Sequence, residues 1–112
     1  MSLKQLQWIG DSRERISAFP DEPKREAGYQ LERVQAGKDP LDWKPMPSVG
    51  LGVHEIRMRE DSGAFRIIYV AKFLEAIYVL HAFQKKARKT SKQDIELARQ
   101  RFRGLIQERK QR

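Results

Sequence analysis

The chain contains no cysteine, which closes off a disulfide framework, a thiolate metal site and a cysteine nucleophile. Long apolar runs are equally scarce. The longest, at residues 67–71 and 76–83, fall well short of the roughly 18 residues that a membrane-crossing helix needs. The opening segment MSLKQLQWIGDSRERIS has neither an uninterrupted apolar stretch nor a small-residue cleavage site, so it does not read as a secretion signal, and a cytoplasmic location is the expectation. No glycine-rich phosphate loop follows a strand, and no nucleophile elbow is present. The two histidines, His54 and His81, have no carboxylate at an obvious fixed offset. Neither a metal site nor a cofactor is therefore expected.

What is present is charge, and it is unevenly placed. Of a net +8, residues 1–83 contribute nothing, with 12 Lys/Arg against 12 Asp/Glu. Residues 84–112 hold 11 Lys/Arg and 3 Asp/Glu and so carry the whole excess. A neutral body with one basic end points to an acidic partner, nucleic-acid phosphate above all, because each neutralised phosphate releases counterions. The competing reading is a solvated surface helix whose cations serve solubility. At 112 residues the chain is expected to form one domain, 1–112, with its last few residues frayed.

Periodicity orders the elements. LKQLQWI, residues 3–9, reads as a short first strand. Asp11 or Ser12 then caps a helix, with Glu14 in the capping-box position and Ile16 and Phe19 facing inward until Pro20. Asp21 caps a second helix with a buried stripe of Ala27, Leu31 and Val34 that ends at Gly37. The proline- and glycine-rich segment KDPLDWKPMPSVGLG is a loop with one short edge strand at 44–46.

Beyond Gly52 the period becomes two. In VHEIRMRE, His54, Ile56 and Met58 share one face; Glu55, Arg57 and Arg59 share the other, which meets solvent or a ligand. EDSG and KFLE turn the chain into two further strands, giving a three-stranded antiparallel meander. Ser91 caps a last helix with Asp94 in the capping-box position, and Ile95, Ala98, Phe102, Leu105 and Ile106 form its packed stripe. Arg99, Arg101, Arg103 and Lys110 belong mostly to the opposite face. Trp8, Trp43 and Phe102 are expected in the core.

Three features stand out chemically. Arg66 lies mid-strand in AFRIIYV, where it must find a counter-ion or an anion. His81, in VLHAF, is either a packed histidine or an acid–base group. Lys85, Lys86, Arg88, Lys89 and Lys92 crowd the junction between the last strand and the last helix, either as a solvated turn or as a grip on phosphates.

The run GVHEIRMREDSGAFRIIYVAKFLEAIYVLHAFQKKARKTSKQDIELARQR, residues 52–101, resembles the phage-derived branch of the RelE/HigB toxin superfamily. The likeness rests on the GVHEIR strand, the FRIIY strand and the LHAFQKKARKT strand end leading into DIELA; WKP at 43–45 and the helical first half agree in order. The resemblance implies an α+β domain of RelE-like fold, with two N-terminal helices and a C-terminal helix packed on a small, mainly antiparallel sheet. It implies the toxin of a type II toxin–antitoxin pair, neutralised by a helix-turn-helix antitoxin encoded beside it, that cleaves messenger RNA on the ribosome. Metal-free RNA cleavage uses the 2′-hydroxyl as nucleophile and requires proton transfer and stabilisation of a crowded phosphorane. By position Arg66 matches the family's phosphate-stabilising arginine, and Lys86 falls where relatives carry a basic residue. Arg57 adjoins other basic positions, and His81, a feature of this branch, would on that likeness serve as base or acid. Lys85, Arg88, Lys89 and Lys92 would bind RNA or the ribosome. Two departures stand against this: KTSKQDIELA has no tyrosine where some relatives orient substrate, and Glu55 replaces a basic residue. The alternative is a non-enzymatic, phage-derived accessory module that binds nucleic acid or protein.

Overall fold

The computed structural model describes residues 2–112. Its elements are β1 (Leu6–Trp8), α1 (Ser12–Ser17), α2 (Asp21–Gln35), β2 (Trp43–Pro45), β3 (Val53–Glu60), β4 (Gly63–Val70), β5 (Ile77–Lys85) and α3 (Lys92–Lys110). The five strands form one mixed sheet in the order β1-β5-β4-β3-β2. The predicted meander is its centre, with β3–β4 and β4–β5 antiparallel. The edge strand predicted near 44–46 pairs antiparallel with β3. β1 is shorter than predicted: only Leu6–Trp8 pairs, in parallel with β5, before the chain turns at Gly10 in the left-handed region (φ +57°). This α+β arrangement, closed by a C-terminal helix, is compatible with a RelE-like fold.

The sheet has two apolar layers. On one face Ile16, Phe19, Ala27, Leu31 and Val34 of the first two helices pack on Ile56, Met58, Phe65, Ile67, Tyr69, Ile77 and Val79. On the other, Ala98, Phe102 and Leu105 of α3, with Met46 and Val49 of the loop after β2, cover Val53, Ile68, Val70, Tyr78 and Leu80. Burial on both faces explains why β4 and β5 read as nearly continuous apolar runs. Each large side chain so buried contributes about 1.5–3 kcal/mol. Trp8 and Trp43 are only half-buried, whereas Phe102 lies in the core.

Four local expectations are corrected. Asp11 makes no side-chain cap on α1; its carboxylate is held by Arg15 at 2.9 Å and Arg101 at 2.7 Å. Pro20, not Asp21, occupies the cap position of α2, and Asp21 opens the first turn, where its charge favours the positive end of the helix. Arg101 does not face outward: it reaches across to donate to the Leu80 carbonyl at 2.8 Å as well as to Asp11. Finally, the solvent face expected for β3 is exposed only at Arg57 and Arg59, because Glu55 is 1% exposed beneath the segment leading into α3. Ser91 caps α3 as predicted, with the Asp94 amide donating to Ser91 Oγ at 3.1 Å, while the Asp94 carboxylate accepts from the Ser91 hydroxyl at 2.7 Å rather than from the Ser91 amide as a capping box would have it.

Candidate functional site

Because strand pairing places opposed residues on the same face, the register assembles three rows on the α3 side of the sheet. Lys44, Glu55, Ile68 and His81 form the row nearest α3; Arg57, Arg66 and Phe83 form the next; Arg59, Ala64 and Lys85 form the outermost. The apolar stripe of α3 covers the sheet on the inner side of these rows, leaving a basic cleft at the outer end. A cavity of about 250 Å³ opens there, lined by Asp42, Arg57, Met58, Arg59 and Arg66.

Arg66 is the fixed centre of the cleft. It is 7% exposed. Its Nη1 donates to the carbonyls of Phe65 at 2.9 Å and Met58 at 3.5 Å. Its Nε lies 3.7 Å from a Glu55 carboxylate oxygen and has no hydrogen-bond partner among the described residues. Burial lowers its pKa, opposed by Glu55, yet a guanidinium stays protonated at neutral pH. The partner that a mid-strand arginine needs is thus Glu55, which no sequence spacing reveals.

Arg57 is exposed and held by Asp42, which accepts from its Nε at 3.0 Å and its Nη2 at 2.8 Å. Lys85 is half-buried at the end of β5 on the same face; burial and then the repulsion of Arg66 lower its pKa, with Glu55 opposing. Lys86 lies one residue beyond the strand and is exposed, as are Arg88, Lys89 and Lys92. None of these four forms an ion pair among the described residues. The register therefore brings together Arg57, Arg66 and Lys85, and sets Lys86, Arg88, Lys89 and Lys92 on the rim.

His81 occupies a β-bulge. Tyr69 pairs with Val79 and Ile68 with His81, so Leu80 is an extra residue. Both Leu80 and His81 consequently face α3, the first packed in its apolar layer and the second 2.7 Å from Asp94. His81 is fully buried and stacks on Phe83 at a ring separation of 5.0 Å. Burial lowers its pKa, with Asp94 opposing. A neutral ring that donates from Nε2 to the Asp94 carboxylate leaves Nδ1 as a bare acceptor, buried and without a partner. Contact between His81 and a substrate would require the first turn of α3 to move off the sheet.

Lys44 and Thr90 border the cleft with no signal in the sequence, and Glu55, which the sequence marks only as a departure from the family pattern, is the buried counter-ion of Arg66. Period-two alternation from Phe83 would have placed Lys85, rather than Lys86, beside Arg66, but only once the β4–β5 register is known. Among the described residues no group of three His, Asp or Glu side chains is placed to hold a metal ion, and no helix is long and apolar enough to cross a membrane.

A mixed five-stranded sheet flanked by helices, with a cationic cleft at one end, defines a small α+β domain. Residues 14–103 match the family model described as phage-derived protein Gp49-like (DUF891), and the chain belongs to that family. No curated protein matches the chain significantly.

Proposed function

We propose that the chain is the toxin of a type II toxin–antitoxin pair, related to the RelE/HigB toxins, and that it is a metal-independent endonuclease of ribosome-bound messenger RNA. The observation that carries this reading is the row of Arg57 and Arg66 beside Lys85, with Arg66 immobilised and the rim cations Lys86, Arg88, Lys89 and Lys92 without ion pairs among the described residues. In-line attack of a 2′-oxygen on the adjacent phosphorus forms a 2′,3′-cyclic phosphate and expels the 5′-oxygen. One proton leaves the nucleophile for water in the open cleft, and one must reach the leaving group. In this reading Arg66 and Arg57 stabilise the phosphorane, a preorganised charge contribution in a partly desolvated site. Lys85, whose pKa is depressed, carries the proton to the 5′-oxygen. Lys86 and the rest of the rim hold the neighbouring phosphates. His81, locked on Asp94, sets the junction of β5 with α3 and acts on substrate only if that turn opens.

The Asp42 grip on Arg57 and the burial of His81 favour a second reading, a nucleic-acid-binding accessory module without catalysis. Induced expression in a bacterial host, with message 5′ ends mapped, separates the two. Growth arrest with new 5′ ends, relieved by co-expression of a neighbouring helix-turn-helix protein, supports the endonuclease. RNA binding without new ends supports the module, and neither arrest nor binding refutes both.

A further inference from the structure

Beside the arginines of the cleft lies one buried acid. Glu55 is 1% exposed, on β3, between β4 and the edge strand β2. One carboxylate oxygen lies 3.7 Å from Arg66 Nε and 3.8 Å from Lys44 Nζ, while the other accepts from the Thr90 hydroxyl at 2.9 Å. Burying an ion pair is a poor way to stabilise a small domain, because desolvation offsets the attraction. What such a pair does well is hold geometry.

Resting on the reading of the cleft given above, we propose that Glu55 is a positioning residue that sets two parts of the site at once. It orients the Arg66 guanidinium from behind and, through Thr90, anchors the cationic segment 86–91 to the sheet. The second role follows from the hydrogen bonds. Thr90 makes the side-chain bond from this segment to the sheet, whereas Ser91 is turned toward Asp94 of its own helix. The first follows from what Arg66 lacks. Its Nη1 is committed to two carbonyls, but its Nε is too far from Glu55 for a hydrogen bond. The buried Nε faces Glu55 and is closed to a ligand, whereas Nη2 makes no hydrogen bond among the described residues, so the guanidinium is aimed with donor capacity left for a phosphate oxygen at the mouth of the cleft. A carboxylate here also cancels part of the cationic field of Lys44, Arg57, Arg66 and Lys85. It therefore weakens ground-state attraction for phosphate while improving alignment.

That combination predicts a split that a merely structural role would not produce. Glu55→Gln keeps the shape and an acceptor for Thr90 but removes the charge. Thr90→Val keeps the shape but removes the hydroxyl. With a 2′-deoxy oligonucleotide, which carries phosphates but no nucleophile, Glu55→Gln should bind several-fold more tightly than the native chain. On messenger RNA held by ribosomes its kcat should fall about 10²-fold, as for a misplaced catalytic group, while KM falls or holds. Thr90→Val should do the reverse, raising KM and weakening oligonucleotide binding with kcat nearly kept. The Arg66 Nε–H resonance in 15N NMR should shift in Glu55→Gln and exchange faster with solvent. Equal losses of binding, turnover and melting temperature in both variants would overturn the proposal, as would native behaviour in both. If the native chain cleaves nothing, the endonuclease reading fails by itself. The oligonucleotide affinity and the Arg66 resonance then still decide: unchanged values refute the positioning role, and the shifts above support it.

Discussion

Neutralising the rim, by changing Lys86, Arg88, Lys89 and Lys92 together to Gln, separates a phosphate grip from a solvated turn. All four side chains are exposed, and none is ion-paired among the described residues. Their removal breaks no contact of the fold, so stability should change by no more than about 0.5 kcal/mol per site. Binding should change much more. If each cation neutralises one phosphate of a single strand, the log–log salt slope loses about 0.7 per contact, or about 3 for the four. Between 50 and 200 mM salt the native chain should then lose about 50-fold more affinity than the variant. Fluorescence anisotropy with a labelled RNA over a salt series, alongside thermal melts, reads both quantities. An unchanged slope with an unchanged melt would refute the phosphate grip and leave these cations as a solvated turn or a protein-docking surface. The latter is detectable as loss of neutralisation by the neighbouring protein.

Lys85→Met should lower kcat by about 10²-fold or more, the usual reach of general acid catalysis, whereas Lys86→Met should act mainly on KM; the opposite order would return the proton-transfer role to Lys86. Arg66 faces a buried carboxylate, so Arg66→Ala should destabilise by about 3–5 kcal/mol in urea titration besides abolishing cleavage. His81 and His54 both have depressed pKa values in the fold. The unfolded chain therefore binds more protons below the ordinary value of 6.5, and stability should be full above that pH and fall as pH drops toward the folded values. His81→Gln should flatten part of that decline, and an identical pH profile in the variant would show that His81 does not contribute. Gly50→Ala would drive its new methyl group into the Phe102 ring, so a loss of about 1–3 kcal/mol is expected, with RNA binding per folded molecule unchanged.

The elements of this protein are written locally. Apolar stripes at helical spacing, the Ser91 cap and the hairpin at 61–62 are decided by residues within a few positions of one another, and the three-stranded meander is readable for that reason. So is the basic character of residues 84–112, since net charge requires no fold. The family resemblance, too, was carried by a continuous run of sequence. Tertiary structure decided everything that depends on register or on distant partners. A single extra residue, Leu80, turns His81 toward α3 and fixes which of Lys85 and Lys86 shares a face with Arg66, because alternation in a strand reverses with a slip of one. Glu55 reads as a solvent-facing alternate on β3, yet Thr90, 35 residues on, closes over it. Asp11 reads as a helix cap until Arg101, 90 residues away, claims its carboxylate. Composition and periodicity specify which groups are cations and which segments are strands. Only the packing of α3 across the sheet determines which cations are left facing open solvent and which are locked against a buried acid.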